Sequence, residues 1–352
     1  MRGQQAGPDQ SRILAVLVTR KCWVSMISRR LCKGCRAGDT AATLLELIVT
    51  LSIVGLLLQL ALPAVESARE AARQSQCKNN LRQLGIGTLL HEQQFGYFPT
   101  GGWGWLWLGD NKQGYGHRQP GGWSFSLLAF VGEGAVRDQF SVGVGNGANN
   151  SALLSAVAHP IDVFTCPSRR VPRSHPYLYG VAFPQLNAIP IEFARSDYAA
   201  CLGAWDNPVT TTGPVNLSEA DEWKGRSGLK RIPRALSTGV IFQQSETKST
   251  EVTRGMSRTI AVGEKHVPSD RELYQTFGGD NESLYTGYDC DTIRTTGLVP
   301  IRDSERNAMN DSWRFGSAHL GAFSTMYCDG SVRSISYDID LAVFASSGMR
   351  GD

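Results

Sequence analysis

The first regular feature along the chain is an apolar run over residues 44–62, in which only Glu46 and Gln59 are strongly polar. At ~1.5 Å per residue, a helix of that length crosses most of a ~30 Å hydrocarbon core. The carboxylate of Glu46 would cost roughly 2.5–3.5 kcal/mol there, so the run predicts a membrane helix whose acid needs a partner. Past Pro63 the helical period continues to about Gln94, with a different character. Val65, Ala68, Ala72, Leu81, Leu84 and Thr88 recur on one face, while Glu66/Arg69 and Glu70/Arg73 form i,i+3 pairs on the other. The pattern divides the chain into a basic leader (1–41), a transmembrane helix (42–63), an amphipathic stalk (64–94) and an exported globular head (95–352). Met26 opens a second short basic segment, so residues 1–25 need not be translated.

In the head, Phe95-Gly96-Tyr97-Phe98-Pro99 ends the helix. Residues 123–130 read as a buried segment, 133–140 as a short helix and 141–151 as a Gly/Asn-rich surface loop. Strands are expected within 161–168, 196–203, 239–242 and 259–265, a turn-rich insertion over 206–237, and a polar, loop-like stretch over 266–312. Near the C-terminus, Phe323 to Cys328, Asp329-Gly330, and Ser331 to Tyr337 spell strand, two-residue turn, strand. A type I′ turn there pairs Tyr327 with Val332 and Met326 with Arg333, leaving apolar residues on both faces and the hairpin inside a sheet. These elements predict an α+β fold.

Charge gives the chain a direction. Residues 1–41 hold Arg2, Arg12, Arg20, Lys21, Arg29, Arg30, Lys33 and Arg36 against Asp9 and Asp39, which keeps the N-terminus cytoplasmic. The head is then periplasmic or extracellular, carried on a single pass of the inner membrane. The leader carries +6 against a net charge of +3 for the whole chain, and the remainder, near −3, argues against nucleic acid as a partner. Cys22, Cys32 and Cys35 fall in the leader, where Cys32-x-x-Cys35 has no second pair to make a zinc site. Cys77, Cys166, Cys201, Cys290 and Cys328 remain as disulfide candidates, enough for at most two bridges, with the pairing open.

The basic leader, Ala41-Ala42-Thr43-Leu44-Leu45-Glu46, and an apolar span with Gly55 and Pro63 together resemble the prepilin N-terminus of type IV pilins and type II secretion pseudopilins. The resemblance implies cleavage between Ala41 and Ala42 by a prepilin peptidase and methylation of the new terminus. Glu46 would then pair with the freed amine of Ala42 in its own or a neighbouring subunit. This chain departs from the family pattern in having Ala41 where Gly is usual and Ala42 where Phe or Met is common.

A second resemblance runs from residue 41 to 340. His319, nine residues, then Asp329-Gly330 is similar to the His-x9-Asp-Gly ending of a large planctomycete-type family of exported, pseudopilin-like proteins with a domain of unknown function. The segments around Cys77-Lys78-Asn79-Asn80-Leu81, Gly96-Tyr97-Phe98-Pro99, Gly122-Trp123-Ser124, Phe164-Thr165-Cys166-Pro167-Ser168, Val262-Gly263-Glu264-Lys265 and Phe315-Gly316-Ser317-Ala318-His319 resemble that family in the same order. What this implies is a pilin-like architecture, a long N-terminal helix packed on an antiparallel sheet with loop insertions.

Candidate chemistry is sparse. Trp103, Trp105 and Trp107 either stack on sugar rings or wedge their loop onto the head. His319, Asp329 and Glu264 would suit a cation or acid/base site if they converged, although the Asp-Gly turn already accounts for Asp329. Asp289, Asp291 and Asp303 are candidates for a calcium site of the kind some pseudopilins carry; no other cofactor is expected. Nucleophile elbows, phosphate loops and His-Glu-x-x-His are absent, so no enzyme is expected. Two readings remain: a structural subunit that assembles with other pseudopilins through its helix, or a monomeric tethered module binding carbohydrate or another ligand. An ordinary signal cut near Ala61-Leu62-Pro63-Ala64 and a plain signal anchor stay open beside prepilin processing.

Overall fold

A computed structural model describes residues 43–141, 151–186, 188–214, 216, 219, 232–270, 277–305 and 311–351. The leader with Ala41 and Ala42, the Gly/Asn-rich loop at 142–150 and much of the 206–237 insertion lie outside the described residues. The chain divides into two units, one up to Val65 and one from Glu66 onward.

The first described element, α1, spans Leu44–Phe95, and its opening part belongs to the first unit. Thr43 starts it. The Thr43 backbone N–H donates to Glu46 Oε2 at 2.9 Å and the Glu46 N–H donates to Thr43 Oγ1 at 3.3 Å, a reciprocal capping box. Pro63 lies inside α1 and does not end it. A Cβ at Gly55 would meet nothing within 4 Å, so no contact among the described residues requires glycine there.

The second unit holds the rest of α1 and the head. Short helices α2 (Trp123–Leu127), α3 (Gly134–Asp138) and α4 (Ser151–Val157) precede all the strands named below. A five-stranded sheet is built from β3 (Tyr198–Cys201), β4 (Ile260–Glu264), β5 (Ile293–Arg294), β8 (Ala322–Tyr327) and β9 (Val332–Ser336), in the order β5-β3-β4-β8-β9. It is mixed rather than purely antiparallel, because β5 joins β3 in parallel. Two small sheets pair β1 (Ser174–Pro176) with β2 (Glu192–Ala194), and β6 (Ile301–Arg302) with β7 (Gly316–Ser317). Helix α5 (Leu341–Ser347) closes the chain, its start capped by Asp340 Oδ1, which accepts from the Ala342 and Val343 amides.

β3 and β4 are buried along their whole length, as a strand covered on both faces must be. Leu81 and Leu84 of α1 join Trp123, Phe125, Phe164 and Met326 in the main core. Ile260, Phe323, Tyr327 and Ile335 pack with Phe344 of α5 in a second cluster. The helix comes close to the hairpin: a Cβ on Gly85 would stand 3.1 Å from both Gly330 O and Met326 Sδ.

Four further expectations are corrected. Residues 161–168 form no strand; Asp162–Phe164 is a 3-10 turn, which buries the adjacent side chains Val163 and Phe164 together where a strand would turn one outward. Residues 239–242 are irregular: the Gly239 N–H donates to Leu202 O at 2.7 Å, and a Cβ there would meet Cys201 O at 2.4 Å. The hairpin is offset by one residue, pairing Met326 with Val332 and Thr325 with Arg333. Gly330 N–H donates to Tyr327 O, Gly330 takes φ +79°, and Tyr327 N–H donates to Ser331 O, so the turn is a three-residue loop with a glycine bulge. The hairpin is also not covered throughout: β8 is interior, and β9 is an edge strand with only Ile335 buried.

Gly330→Ala places a Cβ at positive φ, 3.0 Å from Leu89 Cδ1. The expected cost is about 1–2 kcal/mol, read as a lowered urea midpoint. An unchanged midpoint would show that the turn tolerates a side chain.

Candidate functional site

Two places carry the residues singled out in the sequence. The first is the start of α1. Side chains of residues 44–62 are exposed, from Leu44 at 74% to Val49 at 47%, and the helix is long and apolar enough to cross a membrane. Glu46 is engaged locally by the capping box described above. Ala41 and Ala42, the expected cleavage pair, lie outside the described residues.

The second place is a junction in the head where four motif segments meet. Cys77 comes from α1 and Cys166 from the turn after Phe164; Glu264 ends β4, and His319 lies in the loop between β7 and β8. All four are buried, with one candidate ligand atom from each lying within 4.8 Å of all the others. The two sulfurs are 3.0 Å apart, His319 Nε2 is 3.8 Å from Cys166 Sγ, and the same nitrogen is 3.4 Å from Glu264 Oε1.

Each member is held from behind. His319 Nδ1 lies 2.5 Å from Glu70 Oε1, and Ser168 Oγ donates to both Glu70 oxygens. The Ser324 N–H donates to Glu264 Oε2 at 2.7 Å. Glu264 Oε1 makes no hydrogen bond among the described residues. Asn80 Nδ2 donates to Thr165 O, and Tyr337 OH donates to the carbonyls of Ser317 and His319, which fixes both loops. Sequence periodicity assigns Glu70 to a solvent-facing pair with Arg73. That contact exists at 2.8 Å, but the same carboxylate also orients a buried histidine 249 residues away.

Electrostatics follow from this packing. Burial works against a charge on His319, yet the Cys166 thiol and the Glu264 carboxylate facing it raise its pKa to about 11. The Cys77 contact and then burial push the Cys166 thiol far up. Burial alone would raise Glu70, but hydrogen bonds from His319, Arg73 and Ser168 hold it below the usual carboxylate value. Asp329 takes no part. Its Oδ1 accepts from the Ser331 amide and hydroxyl inside the turn, so His319 and Glu264 converge as the sequence suggested, but without Asp329.

A buried ion network adjoins the cysteine turn. Arg169 donates to Asp197 at 2.9 Å and to Asp303 at 2.8 Å, while Arg170 bridges Asp197 and Asp280. Lys265 Nζ sits 2.9 Å from Asp280, and Asp197 Oδ2 accepts the Cys166 amide at 2.7 Å. The described part of 266–312 is not loop throughout, since it contributes β5 and β6, and it is largely buried. Sequence reasoning missed Arg169 and Arg170; the only signal was an adjacent basic pair directly behind Cys-Pro-Ser.

The calcium candidates separate. Asp303 is taken up by Arg169 and lies 3.6 Å from His266, whereas Asp289 and Asp291 sit together with Cys290. Burial, and then the Asp291 carboxylate, raise Asp289, and burial raises Asp291. As for the tryptophans, Trp103 and Trp107 are buried and pack edge-on at 5.0 Å, and Trp105 lines a cavity of about 280 Å³ with Tyr179, Glu282 and Asp289. Cys77 of the stalk and the four head cysteines are all buried thiols: Cys290 donates to Gly278 O at 2.9 Å, and Cys201 faces Gly348 O at 3.9 Å.

The fold and site thus define an α+β protein with one long apolar-to-amphipathic helix and a head in which cysteine, histidine and glutamate meet behind that helix. The chain belongs to the family described as "Protein of unknown function (DUF1559)", whose model matches residues 66–342. No curated protein and no solved structure matches it.

Proposed function

We propose that the chain is a membrane-anchored structural subunit of pseudopilin type. A prepilin peptidase releases and methylates Ala42, and copies gather through the apolar part of α1 into an envelope filament for secretion or surface attachment. The observation that carries this reading is the exposed apolar surface of residues 44–62 with a single carboxylate near its start. Lipid or other copies of the same helix are the surfaces that suit it. A carboxylate has about four lone-pair sites, so Glu46 can keep its capping bond and also accept from the amine of a neighbour. Inside lipid, that pairing cancels two charges.

The test is cross-linking in native membranes between Leu51→Cys or Leu58→Cys chains. The expected result is a ladder of multimers that disappears in Glu46→Ala, while tryptophan fluorescence shows the head still folded. Monomers alone in the parent chain, or an undiminished ladder in Glu46→Ala, would contradict assembly. A second reading, a tethered binding module, draws on the cavity beside Trp105 and predicts monomers in both chains.

A further inference from the structure

We propose that Cys77, Cys166, Glu264 and His319 bind a single soft divalent cation of the zinc class, independently of whether the helix assembles. The donor set is two sulfurs, one imidazole nitrogen and one carboxylate oxygen, all buried and mutually within 4.8 Å. In a tetrahedral zinc site with bonds of about 2.0–2.3 Å, neighbouring ligand atoms stand about 3.2–3.8 Å apart. The 3.8 Å nitrogen–sulfur and 3.4 Å nitrogen–oxygen separations already match, and the 3.0 Å sulfur pair has only to open by about 0.7 Å.

The surroundings argue for a ligand rather than for packing alone. Glu264 is fully buried; its Oε2 is fixed by the Ser324 amide, while Oε1 faces the cluster without a hydrogen bond. A buried carboxylate oxygen left this way costs free energy unless something cationic meets it; His319 Nε2 at 3.4 Å does so only while protonated, and a metal cation would do so with the imidazole neutral. His319 presents Nε2 to the cluster and Nδ1 to Glu70 at 2.5 Å, the arrangement in which a carboxylate behind a metal-bound histidine fixes its tautomer and ring orientation. Mixed sulfur and nitrogen donors select zinc over the oxygen-seeking calcium or magnesium. The cation would tie the stalk part of α1, through Cys77, to the cysteine turn, the end of β4 and the His319 loop. Four ligands from four separate segments make it a structural site rather than one with an open position for substrate.

The experiment uses the full-length chain, purified in detergent without chelator and with a thiol trap added at lysis. Elemental analysis should find about one zinc per chain, with Cys77 and Cys166 alkylated only after denaturation with a chelator. Cys166→Ser and His319→Ala should each lower zinc occupancy at least tenfold, and Cys201→Ser, outside the cluster, should leave it unchanged. In case the ligand variants fail to fold, cobalt substituted into the parent chain should give the near-ultraviolet absorption of thiolate–cobalt charge transfer. A Cys77–Cys166 linked peptide in the trapped parent chain would overturn the proposal. So would free thiols that take up neither added zinc nor cobalt, or zinc retained in full after Cys166→Ser.

Discussion

Asp280→Asn lowers the unfolding free energy of the head by roughly 3–5 kcal/mol, the cost of removing one partner from a buried ion network. Asp280 is fully buried and takes Arg170 at 2.6 and 3.0 Å, Lys265 at 2.9 Å and Arg195 at 3.5 Å. Asparagine keeps the shape but leaves these cations facing a neutral amide. Burial alone would raise Asp280, yet Arg170, Lys265 and Arg195 hold it well below the ordinary carboxylate value of 3.8. Lys265 itself is pulled down, because burial outweighs what the shared carboxylate returns to it. Urea unfolding of the full chain in detergent, in both forms, measures the difference. A loss under about 1 kcal/mol would place these charges in the class of solvent-screened surface pairs.

The same network sets the acid limit. Asp303 is likewise lowered, with burial opposed by Arg169 and His266. A carboxylate depressed in the folded state contributes stability that is fully present above its unfolded pKa and is lost as pH falls through the folded one. The head should therefore hold its stability down to about pH 4 and lose it steeply below the ordinary value of 3.8, with Asp280→Asn flattening that slope. A parent chain whose denaturation midpoint is flat from pH 5 to 2 would contradict the pairing.

Trp123→Ala is the second large effect, about 3–5 kcal/mol. The indole is fully buried, stacks edge-on to Phe164 at 5.6 Å, and its Nε1 donates to Thr292 O at 2.8 Å. Thr292 O also accepts the Ala200 amide at 2.9 Å, so losing the indole bond does not strand that carbonyl. Trp123→Phe should accordingly cost well under half as much, and calorimetry of the two variants side by side checks it. Equal losses would mean that the hydrogen bond, not the volume, is what Trp123 supplies.

What was legible in the sequence depended on how local its cause was. The long helix was read from spacing alone, and β3 and β4 from short apolar runs, because each is fixed by neighbours in the chain. The C-terminal hairpin was legible as a hairpin, but a type I′ turn and a glycine-bulged loop share the Asp-Gly pair and differ by one residue of register. The 3-10 turn at Asp162–Phe164 was missed because Val163 and Phe164 are buried together by tertiary packing that no period reveals. The cysteine–histidine–glutamate junction was half visible. Each of its four residues stands in a motif segment already noted, yet Glu70 carried its own local explanation in Arg73, which hid its link to His319. The buried ion network was invisible for a similar reason, since charged loop residues read as solvated until the fold encloses them.

Assembly through α1 depends on the amino terminus that precedes Glu46. Intact-mass and N-terminal peptide spectrometry of the chain purified from membranes tests it most directly. The expected mature chain begins at a methylated Ala42. A chain that keeps the basic peptide, or one that starts beyond Ala61, would contradict it.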